Sequence, residues 1–185
     1  MSTEIIADAD HKMARAVEAM ERDFQGIRTG RASTALVERI HVEYYGTSTP
    51  LNQLAGISVP EPHQIVIQPW DRGVLGAIEK AITKSDIGLM PNVDGTVVRL
   101  NIPPLTEERR KDLVRVVHKR MEDARVEIRN LRREGADQLK KEEREGHVGT
   151  DEAHRQLESL QRTTDRHIGE VDRLGGAKEQ EVLEV

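Results

Sequence analysis

Hydrophobic positions fall into three long stretches of helical spacing and one intervening stretch of different texture. Between residues 3 and 29, Ile6, Ala9, Met13, Ala16, Met20, Phe24 and Ile27 recur at steps of three and four. That spacing predicts one apolar face of a helix. Ser2 and Thr3 both suit its N-cap, and Gly30 in Thr29-Gly30-Arg31 suits a left-handed stop. From Thr106 to Glu145 the seam runs Val114, Val117, Met121, Ala124, Ile128, Leu131 and Gly135, uninterrupted by proline. Such a helix spans roughly 60 Å, far beyond what one small core covers, so it needs long partners. A third seam, within Asp151 to Leu183, uses Leu157, Leu160, Thr164, His167 or Ile168, Val171 and Leu174. Gly146 and Gly149 separate it from the second. Gly175 and Gly176 fall inside it, and each costs a helix about 1 kcal/mol relative to alanine, so the last two turns are expected to fray or kink.

Residues 32–104 read differently. They hold all seven prolines and most of the β-branched runs. Arg39 to Tyr45 alternates, with Ile40, Val42 and Tyr44 on one face, as in a half-buried strand. Gly46 to Pro50 is expected to be a turn. Leu54 to Val59 and Gln64 to Gln68 are expected strands, broken by Pro60-Glu61-Pro62. Gly73 to Ser85 predicts an amphipathic helix, Gly88 to Gly95 a loop, and Thr96 to Ile102 a last strand. The expected architecture is α+β: an elongated three-helix bundle of residues 1–30 and 105–185, with a small β/α/β domain of residues 31–104 inserted. The chain crosses between them twice, at Gly30-Arg31 and at Pro103-Pro104-Leu105, which marks a hinge.

Composition narrows the partners. Charged residues are 33% of the chain, aromatics only 2%, and the formal net charge is −5. Any nucleic-acid binding must therefore come from local clustering of arginine. The absence of cysteine excludes disulfides and thiolate metal sites and fits a reducing, cytoplasmic setting. No apolar run approaches a membrane span, and the acidic N-terminus, with no apolar core, is not expected to be a targeting signal.

No phosphate-binding glycine loop, HExxH or GxSxG is present, and no nucleophile, base and orienter assemble along the chain. The seven histidines are scattered; His147 and His154 are seven apart but divided by glycines, so no metal site and no cofactor are expected. A binding protein, not an enzyme, is the expectation. The candidate surface is a stripe one residue beyond the second seam: Lys111, Arg115, His118, Glu122, Arg125, Arg129 and Arg132. Two readings compete. The stripe is either a solvated face laced with ion pairs, for which Glu122, Glu127 and Glu134 are available, or a cationic edge for an RNA backbone. Arginine outnumbers lysine between residues 125 and 133, and its planar fork suits phosphate. Tyr44, Tyr45 and Trp70 offer base stacking or, alternatively, packing in the core or rim of the small domain.

Six strings carry a resemblance: IRTGRAS at 27–33, VEYYGTSTPLNQLA at 42–55, AIEKAI at 77–82, SDIGLMPN at 85–92, PPLTEERRKDL at 103–113 and VEIRNLRRE at 126–134. In this order and spacing they resemble the bacterial ribosome recycling factors along essentially the whole chain. The resemblance implies an L-shaped molecule of transfer-RNA outline. It implies a monomer that binds the post-termination ribosome against large-subunit ribosomal RNA. With elongation factor G and GTP, such a factor splits the subunits without catalysis of its own. Arg110, Arg129 and Arg132 match the family's RNA-contacting positions, with Arg132 foremost; Arg125, Arg133 and Arg28 join them as candidates. Arg31 lies in the hinge. Gly135, Gly169, Gly175 and Gly176 depart from helix-forming expectations and bear on the rigidity of the bundle's far portion. Two rivals remain on the residues alone: a helical adaptor whose basic edge is merely solvated, and a hydrolase built on the insert.

Overall fold

The computed structural model describes residues 2–184 and the side chains from Thr3 onward. The chain divides into two compact units. One runs through Arg28 and resumes over Glu107–Glu184; the other is Thr29–Thr106.

The first unit is three helices, α1 (Ser2–Gln25), α3 (Glu107–Arg144) and α4 (Thr150–Leu183). α1 ends at Gln25, five residues before the expected stop at Gly30, where Gly26 N–H donates to the Asp23 carbonyl and Ile27 N–H to the Phe24 carbonyl. Thr3 lies inside the helix and not at its cap; the Ser2 side chain is outside the described residues. The three seams meet. Met13, Met20, Val117, Ile128 and Val171 are fully buried, and Met121, Ala124, Leu139 and Leu160 complete the layer. Each large apolar side chain buried here contributes about 1.5–3 kcal/mol of transfer free energy.

The glycines of the third seam do not break α4, which is one continuous helix. Gly175 is a notch. A Cβ there would overlap the Met121 side chain at its Sδ, so the missing side chain is what lets α3 come close. Gly135 plays the reciprocal part on α3, where a Cβ would lie 3.2 Å from Leu160 Cδ2. Close approach of two helices offsets the intrinsic cost of glycine. Between α3 and α4, Gly146 adopts φ +75° and His147 N–H donates to the Glu142 carbonyl, which folds the chain back over the last turn of α3.

The second unit begins with a hairpin, β1 (His41–Tyr44) and β2 (Thr47–Pro50). The segment expected as a turn is therefore a strand. The reversal is confined to Tyr45-Gly46, with φ +47° and +80°, as a two-residue hairpin turn requires. Next come β3 (Ala55–Glu61) and β4 (Gln64–Pro69), then α2 (Leu75–Lys84), then β5 (Pro91–Asp94) and β6 (Val97–Asn101). They form an antiparallel sheet in the order β3-β4-β6-β5. Pro60 sits within β3 rather than ending it, because β3 is an edge strand and its pairing shifts register between Ser58 and Glu61. β5, expected as loop, is the opposite edge, and α2 packs over the sheet. The core is aliphatic: Val37, Val42, Leu51, Ile65, Ile67, Ile78, Val98 and Leu100 are all fully buried.

Candidate nucleic-acid interface

The basic stripe lies on α3 where the spacing puts it, but most of it is not bare. His118, Arg125 and Arg132 recur every seven residues and so share one line along the helix. All three reach α4. His118 Nε2 is 2.8 Å from Glu179, Arg125 donates to Asp172 at 2.6 and 3.0 Å, and Arg132 donates to the Gln161 side-chain carbonyl at 3.1 Å. The hydrogen bond to Asp172 raises the Arg125 pKa, with Glu122 adding to it. Lys111 pairs with Glu107 and Arg115 with Asp112. Of the three acidic partners expected within α3, Glu122 serves two arginines, Arg125 and Arg129. The carboxylates that matter most, Asp172 and Glu179, come from another helix, where the α3 pattern alone does not reveal them. Toward the start of α3, the reading of an ion-pair-laced face holds.

The balance changes from Arg129 onward. Arg129 keeps one contact, 3.2 Å from Glu122, and its side chain is 46% exposed. Arg132 is held by a neutral amide and not by a charge. Gln161 is itself oriented, donating to Asp165 at 2.8 Å, so it presents an acceptor to the guanidinium without neutralising it. Arg133 is exposed and has no hydrogen bond or ion pair among the described residues. These three cations fall at i, i+3 and i+4, within roughly 6 Å along the axis. Val126, 44% exposed, stands one turn before them. A short cationic cluster on one helix results, in which the Arg132 and Arg133 guanidiniums are not neutralised by a carboxylate among the described residues. Gln161 is a positioning residue that the sequence reading missed. Its place one residue beyond Leu160, on the seam of α4, is the signal that could have found it.

The other candidates lie apart. Arg110 is in the first turn of α3, partly buried, about 28 Å along the helix from Arg129 and on the line of the apolar seam. Arg28 is exposed just past α1 and makes no hydrogen bond or ion pair among the described residues. At the crossings, Gly30 has φ +75°, and a Cβ there would lie 3.2 Å from Leu105 Cγ and 3.3 Å from its nitrogen. Its carbonyl lies 2.8 Å from His63 Nδ1. Ala32 N–H donates to Pro62, and Ile102 N–H to the His63 carbonyl. Both crossing segments are thus fastened to the small unit as far as Gly30 and Ile102. Exposed Arg31, Pro103 and Pro104, with half-buried Leu105, complete the hinge candidates. Tyr45 and Trp70, expected more readily in a core or rim, are 82% and 72% exposed, while Tyr44 packs against the core. The Tyr45 hydroxyl donates to Asp71, whose charge raises the phenol's pKa.

Residues 20–183 match the family model described as ribosome recycling factor. The chain is 50% identical to the ribosome-recycling factor of Halalkalibacterium halodurans over 185 residues, covering all of both chains. It is 51% identical to that of Carboxydothermus hydrogenoformans, again covering all of both. A solution structure of a ribosome recycling factor superposes with a TM-score of 0.75 at 50% identity, covering 100% of this chain and 98% of the other. A second match has a TM-score of 0.62 at 48% identity and covers 99% of each chain. It belongs to models of the T. thermophilus ribosome recycling factor and the E. coli elongation factor G bound to the E. coli post-termination complex.

Proposed function

The chain belongs to the ribosome recycling factor family, and from that premise we propose that it binds the ribosome after termination and, with elongation factor G and GTP, separates the subunits so that messenger RNA and transfer RNA leave. The bundle is the anchor, lying against large-subunit ribosomal RNA. The small unit is the moving part, turning about the crossings at Gly30-Arg31 and Pro103-Pro104-Leu105. The protein acts in the cytoplasm as a monomer. It catalyses no reaction itself; binding and displacement are its whole contribution.

One observation carries the RNA reading. In a chain of net charge −5, among the described residues Arg132 is paired only to an amide and Arg133 is unpaired, with Arg129 beside them. An arginine already saturated by carboxylate gains little from phosphate, because it must first break that pair. Arginines held in place without being neutralised keep their charge for the ligand. A helix presenting them to a backbone recognises shape and not base sequence.

The test is binding to isolated large subunits across a salt series. Affinity is expected to fall steeply with salt, and Arg132→Ala with Arg133→Ala to flatten the slope by about one unit per lost phosphate contact. A slope unchanged by both substitutions would return the edge to a solvated face and favour a helical adaptor.

A further inference from the structure

Resting on the reading of the small unit as the moving part, we propose that His63 is a positioning residue of the hinge: its imidazole N–H catches the Gly30 carbonyl and limits how far the chain bends at Arg31. His63 Nδ1 lies 2.8 Å from the Gly30 carbonyl oxygen. A carbonyl oxygen only accepts, so Nδ1 carries the proton. One peptide further on, Ala32 N–H donates at 2.7 Å to the Pro62 carbonyl. Pro62 and His63 are the two residues between β3 and β4. One turn thus grips two successive peptide planes of the first crossing. Between those planes lie only φ and ψ of Arg31, the two soft dihedrals that a residue has. Held at both ends, Arg31 cannot swing; release of the imidazole bond frees it.

The turn is a firm support. Glu61 pairs with Gln64 across it, and Gln64 pairs with Asn101. Ile102 N–H extends that second ladder by donating at 2.7 Å to the His63 carbonyl. His63 therefore holds the second crossing through its backbone and the first through its side chain. Gly30 suits the contact. It is buried, at φ +75°, and a Cβ there would crowd Leu105, so its carbonyl keeps one direction. A buried carbonyl left without a donor is costly, which favours the closed catch. Nothing in the spacing of the histidines singles out His63; the fold sets it against a residue 33 positions away.

The experiment compares the full parent chain with His63→Phe, which keeps a ring without the donor, and His63→Asn, which returns an N–H near the place of Nδ1. In His63→Phe the Ala32 amide should exchange its hydrogen roughly two- to tenfold faster, the population shift that loss of one hydrogen bond gives. The Ile102 amide, held by a backbone carbonyl, should keep its rate, and His63→Asn should restore that of Ala32. The chain has no cysteine, so Lys80→Cys on α2 and Asp137→Cys on α3, both exposed, put one spin label on each unit. The distribution of distances between the labels should broaden in His63→Phe and narrow again in His63→Asn. Exchange at Ala32 that stays at the parent rate would overturn the catch. So would a lower Tm with Ala32 and Ile102 accelerated alike and an unchanged distribution, which would make His63 a plain stabiliser of the small unit. These readouts use the free protein, so a parent chain unable to split post-termination ribosomes would refute the recycling role separately.

Discussion

Asp10 pins α1 to α4. One of its carboxylate oxygens is 2.5 Å from Nε2 of the buried His167 and 2.6 Å from Arg166. The hydrogen bond from His167 lowers the Asp10 pKa below its ordinary 3.8; partial burial opposes this, and Arg166 adds to it. A carboxylate with a depressed folded-state pKa contributes stability above its unfolded value, and that contribution is lost as pH falls through the folded one. Asp10→Asn should therefore lower Tm at pH 5, with the gap to the parent closing as pH drops below about 3.8. A gap constant down to acid would remove Asp10 from this role. The arginines of α3 divide by the same reasoning. Arg125, 26% exposed and tied to Asp172 and Glu122, belongs to the fold. Arg125→Ala should cost up to about 1 kcal/mol in denaturant unfolding and leave large-subunit affinity nearly unchanged. Arg132→Ala should do the reverse, weakening ribosome binding by roughly 1–3 kcal/mol at an almost unchanged Tm.

At the scale of elements, helices were legible and weak strands were not. The seams of α1, α3 and α4 announce themselves because each buries a continuous apolar line, which leaves a 3.6-residue period. β2 is Thr47–Pro50 and β5 is Pro91–Asp94, both short edges with little buried, so neither leaves an alternating signal. The glycines of α4 misled for a related reason. Propensity counts the cost within one helix, while the gain lies in the neighbour. Gly175→Ala should destabilise the bundle by about 1–3 kcal/mol, since Met121 must move out of a packed core. Gly169 and Gly176 meet nothing within 4 Å, so alanine at either should stabilise by about 0.5–1 kcal/mol. Thermal or urea unfolding of the three variants ranks them, and equal effects at all three would contradict the notch.

For the whole molecule, the candidate site was readable in part. The stripe could be drawn from spacing on α3, and arginine's excess near residues 125–133 singled out its far end. What spacing could not show is which arginines are already occupied, because Asp172, Glu179 and Gln161 arrive from a helix some thirty to sixty residues away. The two crossings, Gly30-Arg31 and Pro103-Pro104-Leu105, are where the proposed hinge lies. Gly30, with its positive φ and its contact to Leu105, is the position there least tolerant of a side chain. Light scattering from post-termination ribosomes mixed with elongation factor G, GTP and this protein is the decisive test of subunit splitting. The scattering is expected to fall only when every component is present, and more slowly when Arg132 is replaced by alanine. Scattering that stays level while the protein binds, or that falls equally well with Arg132→Ala, would contradict this expectation.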